Sequence, residues 1–85
     1  MIKAHVSKGL LRLMVRLPAI RGELQIIHGR DELIRDLTEA YGDAIETLAG
    51  LQSNPVSQRG LIREYETICA DIEEEIVRRC AAWRL

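Results

Sequence analysis

Few side chains in this 85-residue sequence have the type and spacing to do chemistry. The candidates are Cys69 and Cys80, His5 and His28, and the acidic run Glu73-Glu74-Glu75. A zinc site needs three or four Cys, His or carboxylate ligands that converge. The two histidines fall on separate elements, and no Glu-x-x-His motif of a di-iron bundle occurs. Cys69 and Cys80 are eleven residues apart, which on a helix is about 16 Å of rise. They share a face but cannot pair within the chain, since a disulfide needs Cα atoms within about 7 Å. Both fall on an apolar stripe, where burial keeps a thiol protonated and inert. Small buried thiols are the first reading of them and an intersubunit disulfide is the second. The six glycines are isolated, so no phosphate-cradling loop forms. A phosphorelay histidine should sit mid-helix and exposed, and Gly29 beside His28 argues against that role. Solvated acid describes Glu73-Glu74-Glu75. No catalytic residue, metal ligand or cofactor site is expected, and the protein is expected not to be an enzyme.

The elements that remain are helices. Charged residues make up 29% of the chain and hydrophobic ones 47%, the balance of a globular domain. The net charge of -1 hides a strong asymmetry. Residues 1–30 carry six Lys or Arg and one acid, while residues 31–46 carry six acids and one arginine. A basic arm beside an acidic helix suggests docking, within the chain or between chains. No apolar run is long enough to span a membrane. Arg12 and Arg16 interrupt what would be a secretory signal core, although residues 1–18 have the acid-poor composition of a transit-type peptide. A helix of the folded protein is the preferred reading of that segment, and the cytoplasm is the expected location.

Residues 6–17 form an amphipathic helix on this reading. Lys8, Arg12 and Arg16 lie on one side, with Val6, Leu10, Leu13, Met14 and Leu17 on the other; Gly9 weakens it. Pro18 ends or restarts the helix. Residues 19–28 carry Ile20, Leu24 and Ile27 at helical spacing and stop at Gly29 in the left-handed conformation. Asp31 caps the next helix. There Ile34, Tyr41 and Leu48 alternate with Leu37, Ala44 and Leu51, a heptad seam that Leu33, Ala40 and Ile45 widen. Gly42 costs helix propensity and Gly50 is the expected terminator. Gln52-Ser53-Asn54-Pro55 reads as the turn, with Asn54 as N-cap and Pro55 as first residue of the last helix, or Ser57 as a later cap. Leu61, Ile62, Tyr65, Ile68, Cys69, Ile72, Ile76, Cys80 and Trp83 then recur at three and four through residue 83. Glu74–Arg78 and Glu75–Arg79 have the order that supports a helix, and Arg78, Arg79 and Arg84 suit its C-terminal end.

The fold expected is all-α and a single domain over residues 1–85. A basic N-terminal arm of one or two short helices, residues 1–29, precedes a long antiparallel αα-hairpin over residues 30–85, its helices at about 31–50 and 56–83. Two helices cannot hide stripes this wide. Either the N-terminal helices fold back to give a three-helix bundle, or a second copy gives a dimeric four-helix bundle, or both occur. A chain this short buries only about 60–65% of its unfolded surface, which favours association.

The stretches Glu39-Ala-Tyr-Gly-Asp-Ala-Ile-Glu-Thr-Leu48 and Glu64-Tyr-Glu-Thr-Ile-Cys-Ala-Asp-Ile-Glu-Glu-Glu-Ile76 resemble a pattern in small, uncharacterised bacterial helical-hairpin proteins. In these an acidic, tyrosine-containing helix meets a turn, and Glu-Tyr then leads into a Glu-rich helix. The resemblance spans residues 31–79. It implies the hairpin fold and a bacterial source, and it transfers no catalytic or binding residue.

The function expected is that of a small interaction, adaptor or regulatory protein that self-associates or takes a protein partner. Ile34, Leu37, Tyr41, Leu48, Ile62, Tyr65, Ile72, Ile76 and Trp83 are its packing or interface residues. The alternative uses the basic patch of Lys8, Arg12, Arg16 and Arg21 against nucleic acid or a membrane surface. No aromatic interleaves with those basic residues and no Trp lies in the segment, so neither partner is the preferred one.

Overall fold

The computed structural model describes residues 7–54, 56 and 58–83. The expectations resting on His5, Val6, Pro55, Ser57 and Arg84 lie outside the described residues. The described chain is all-helical, with no strand. Its elements are α1 (Lys8–Arg16), a 3-10 turn (Pro18–Ile20), α2 (Arg21–His28), α3 (Glu32–Ser53) and α4 (Arg59–Trp83).

Each boundary has a local cause. Ser7 caps α1, its hydroxyl accepting from the Leu10 amide at 3.0 Å. Pro18 opens the 3-10 turn, where its missing amide costs nothing. Asp31 caps α3 by accepting from the amides of Leu33 and Ile34 at 3.0 and 3.2 Å. Gly29 follows α2 as expected, but not in the left-handed conformation. Its φ is -78°, and the chain turns through bonds from the Gly29, Arg30 and Asp31 amides back to the Ile26 and Ile27 carbonyls. Gly50 does not terminate α3, which continues through Gln52 and Ser53. Asn54 is therefore the C-cap of α3 and not the N-cap of α4. Its Oδ1 accepts from the Val56 amide at 3.0 Å, an Asx turn that leads the chain out of α3.

Two helical layers build the fold, and the molecule is 20 Å thick along its shortest axis. α3 and α4 form one layer and make the most extensive contact. α1, the 3-10 turn and α2 form the other, with α1 seated on α3 and α2 reaching both long helices. Leu10, Leu13, Ile20, Leu24 and Ile27 come from the short segments. They enclose Ile34, Tyr41, Ala44, Cys69, Ile76 and Cys80 from the long ones. The N-terminal segment thus supplies about half of the buried core among the described residues.

The contact between α1 and α3 rests on two glycines. Gly9 is buried against the α3 backbone, and a methyl group there would overlap the Thr38 carbonyl oxygen. A methyl on Gly42 would lie 3.1 Å from the Gly9 nitrogen and 3.3 Å from its Cα. Read alone, each glycine is only a weakness in its helix. Together they remove the side chains that would hold the two backbones apart. Thr38 completes the crossing: it is fully buried, small, and donates its hydroxyl to the Ile34 carbonyl at 2.7 Å.

Substitution at these glycines should follow their surroundings rather than helix propensity. Gly9→Ala should lower stability by about 2 kcal/mol or more, the cost of overpacking a closed contact. Gly50→Ala, where nothing lies within 4 Å, should raise it by about 0.5–1 kcal/mol. Urea unfolding of both variants measures the pair, and a stable Gly9→Ala would show that the crossing does not form.

Candidate interaction surface

The basic residues of α1 meet acids from two different helices. Lys8 Nζ pairs with Glu46 of α3 at 2.7 Å, and the contact raises the lysine pKa and lowers that of the carboxyl. Arg16 Nε reaches across to Glu73 of α4, at 3.3 and 3.4 Å from its two oxygens. Tyr41 of α3 donates its hydroxyl to the same carboxylate at 2.6 Å. Three helices therefore converge on Glu73, whose side chain is only 18% exposed. This corrects the expectation of a solvated Glu73-Glu74-Glu75 run: α1 folds over the front of α4 and encloses Glu73, while Glu74 stays exposed. Glu75 pairs mainly with Arg78, at 2.6 Å and three residues away, and more distantly with Arg79 at 3.8 Å. The expected Glu74–Arg78 pair is not the contact formed.

A groove of about 520 Å³ lies over this cluster, lined by Arg12, Val15, Leu48, Glu66 and Cys69 among others. Cys69 is buried at its floor. Burial and the neighbouring Glu73 push its thiol pKa up, away from nucleophilic reactivity. Cys80 is fully buried, and neither cysteine is in a disulfide. The described residues contain no group of three or more His, Cys, Asp or Glu that could hold a metal ion.

The opposite side of the α3–α4 layer is open. At about 100° per residue, Leu33, Ala40 and Leu51 lie on the side of α3 away from Gly42 and α1, with Leu37 at its edge. On α4, Leu61 and Ile68 lie on the side away from Glu66 and Glu73, with the half-buried Ile72 between them and the core. Leu33 is 43% exposed, Leu61 and Ile68 are each 37% exposed, and Ala40 is exposed. The sequence places all four in the packed stripe. In the structure no described element covers that side, because both short helices lie on the other. Trp83 ends the open face, 46% exposed, with its indole nitrogen donating to Asp31 Oδ2 at 2.9 Å. That bond, with the two backbone amides, holds the Asp31 carboxyl below its ordinary pKa. Acids border the face: Asp36 and Asp43 on α3, Glu64 and Asp71 on α4.

The remaining expected site residues divide by depth. Ile34, Tyr41 and Ile76 are buried; Leu37, Leu48, Ile62, Tyr65 and Ile72 are half-buried beside them. Arg12 and Arg21 are exposed, on α1 and at the start of α2 respectively. Lys8 and Arg16 pair with separate acids, Glu46 and Glu73, and both stay largely exposed. Sequence reasoning missed Glu73 as a half-enclosed acceptor and the Gly9–Gly42 pair. The available signal was the i, i+7 relation of Glu73 to Cys80, which puts the acid near the apolar stripe.

No protein family, curated protein or solved structure matches the chain. No helix among the described residues is long and apolar enough to cross a membrane.

Tyr41 gives this cluster a pH signature. Burial first, then the bond and charge of Glu73, push its phenol well above the ordinary tyrosine range. A raised folded-state pKa means the stabilisation is complete below about pH 10 and is lost as pH rises beyond it. In a Tyr65→Phe background, phenolate absorbance should therefore appear only together with unfolding. Tyr41→Phe should cost about 1.5–3 kcal/mol, as expected for a hydrogen bond to a charged group. Phenolate formation in the folded protein near pH 10 would contradict this placement.

Proposed function

We propose that this protein is a non-enzymatic interaction module that self-associates through the open side of its α3–α4 layer. The observation that carries the reading is the exposed apolar strip of Leu33, Ala40, Leu61 and Ile68, continued by the half-buried Leu37 and Ile72. It lies on long helices whose other side is already occupied, and it is bordered by polar residues as interaction surfaces are. On this reading α3 and α4 act as a rigid antiparallel hairpin. The bonds Tyr41–Glu73 and Trp83–Asp31 support that register, joining mid-helix to mid-helix and the end of α4 to the start of α3. α1 and α2 serve as a brace that leaves one face of the hairpin presented.

A second copy is the occupant a small chain can always supply, and it adds the core that 85 residues lack. A role for the basic segment against nucleic acid or lipid draws less support, since Lys8 and Arg16 already pair with Glu46 and Glu73.

Sedimentation equilibrium tests the proposal. The weight-average mass should rise above that of the 9.7 kDa monomer with concentration. Leu33→Glu and Ile68→Glu should each return it to the monomer value while leaving the helical circular dichroism unchanged. A wild-type protein that stays monomeric at about 1 mM, a concentration where even weak millimolar association shows, would refute the reading.

A further inference from the structure

The open side differs in charge from the side that α1 occupies, and this bears on how two copies meet. Along the open side the rim is acidic. Asp36 and Asp43 flank it on α3, and Glu64 and Asp71 flank it on α4, all exposed. Asp36, Asp43 and Glu64 have no ion-pair or hydrogen-bond partner among the described residues. Arg78 and Arg79 are the bases on that side of α4, and both pair with Glu75. Two such faces placed against each other would set acid opposite acid, which is unfavourable where water is excluded.

The outer side of α1 has the complementary pattern. Leu11 and Val15, four residues apart, form an apolar ridge that is 49% and 80% exposed. Lys8 and Arg12 run beside that ridge. Arg12 makes no ion pair or hydrogen bond among the described residues, and Lys8 is exposed despite its contact with Glu46. A ridge of two aliphatic side chains bordered by bases matches a shallow apolar strip bordered by acids. The fit also repeats, between molecules, the pairing of basic α1 with acidic α3 that already exists within the chain.

We infer that the second copy docks head to tail, the α1 ridge of one molecule lying in the α3–α4 face of the next. This rests on the self-association proposed above and specifies its geometry. Such a contact is heterologous: each copy uses one face and leaves the other free, so assembly continues past the dimer unless the rotation closes a ring. Charge matching makes it weaken as salt rises.

Complementation by blocked surfaces tests the geometry. Val15→Glu blocks the ridge and Ala40→Glu blocks the open face; both positions are exposed, so neither substitution touches the core, and circular dichroism verifies the folds. Each variant alone should sediment as a monomer. An equal mixture should form a heterodimer and stop there, because only one productive face remains on each partner. Wild-type protein should pass beyond the dimer, with its association constant falling at least tenfold between about 50 and 500 mM salt. A Val15→Glu variant that still dimerises, with Ala40→Glu monomeric and no heterodimer, would overturn the head-to-tail contact in favour of face-to-face pairing. That result would leave the self-association proposal standing. Monomeric wild type would remove both.

Discussion

The backbones of α1 and α3 meet in close contact at Gly9 and Gly42, and much of the described arrangement follows from that crossing. A helix that sits this near its neighbour brings short side chains into full contact. Leu10 and Leu13 reach the core because their own backbone is already at the α3 surface. The same closeness lets Lys8 and Arg16, at opposite ends of nine residues, find acids on two different helices. Moving α1 outward by one methyl group would disturb all of these at once. The ion pairs alone would not hold it, because pairs this exposed contribute little to stability.

The placement of α1 also decides which carboxylate is partly enclosed and which side of the long helices is left open. Glu73 is held by two donors, Tyr41 and Arg16; with either missing, a half-enclosed charge would lose a partner. On the far side nothing repeats this arrangement. The aliphatic residues there sit at the same helical spacing as the core but have no partner helix within the described chain. One short brace on a two-helix layer produces both a core and a presented surface.

Much of this was legible in the residues. The 3.6-residue periodicity locates both long helices, and Asp31 and Pro18 mark boundaries by mechanisms that act locally. Ile20, Leu24 and Ile27 were readable as an inward row of a short helix, and their burial follows the pattern. The misreadings share a cause: they depended on what lay across the gap from a residue. Gly9 and Gly42 look like flaws until they are seen to face each other. Glu73 resembles its neighbours Glu74 and Glu75 until α1 covers it. Ile68, Leu61 and Leu33 have core spacing, but spacing does not say whether a helix has one covered side or two. Gly50 and Asn54 failed for a different reason. Glycine or asparagine permits a helix end without requiring one, and α3 ran on until the Asx turn at Asn54.

Trp83 and Asp31 give the molecule a polarity along its length. Asp31 serves two helices at once, capping α3 through backbone amides and receiving the indole of α4. The base of the layer is thereby tied, and α2 packs over it. The other end, from Leu48 to Ser53 and from Arg59 to Tyr65, has no buried residue and only half-buried contacts. Cooperative opening then begins at that end and moves toward the base. Amide hydrogens there exchange with solvent first, while those around Ile34 and Ile76 exchange only through global unfolding. The two long helices thus differ along their length, closely packed at the base and only half-buried near the short connection that joins them.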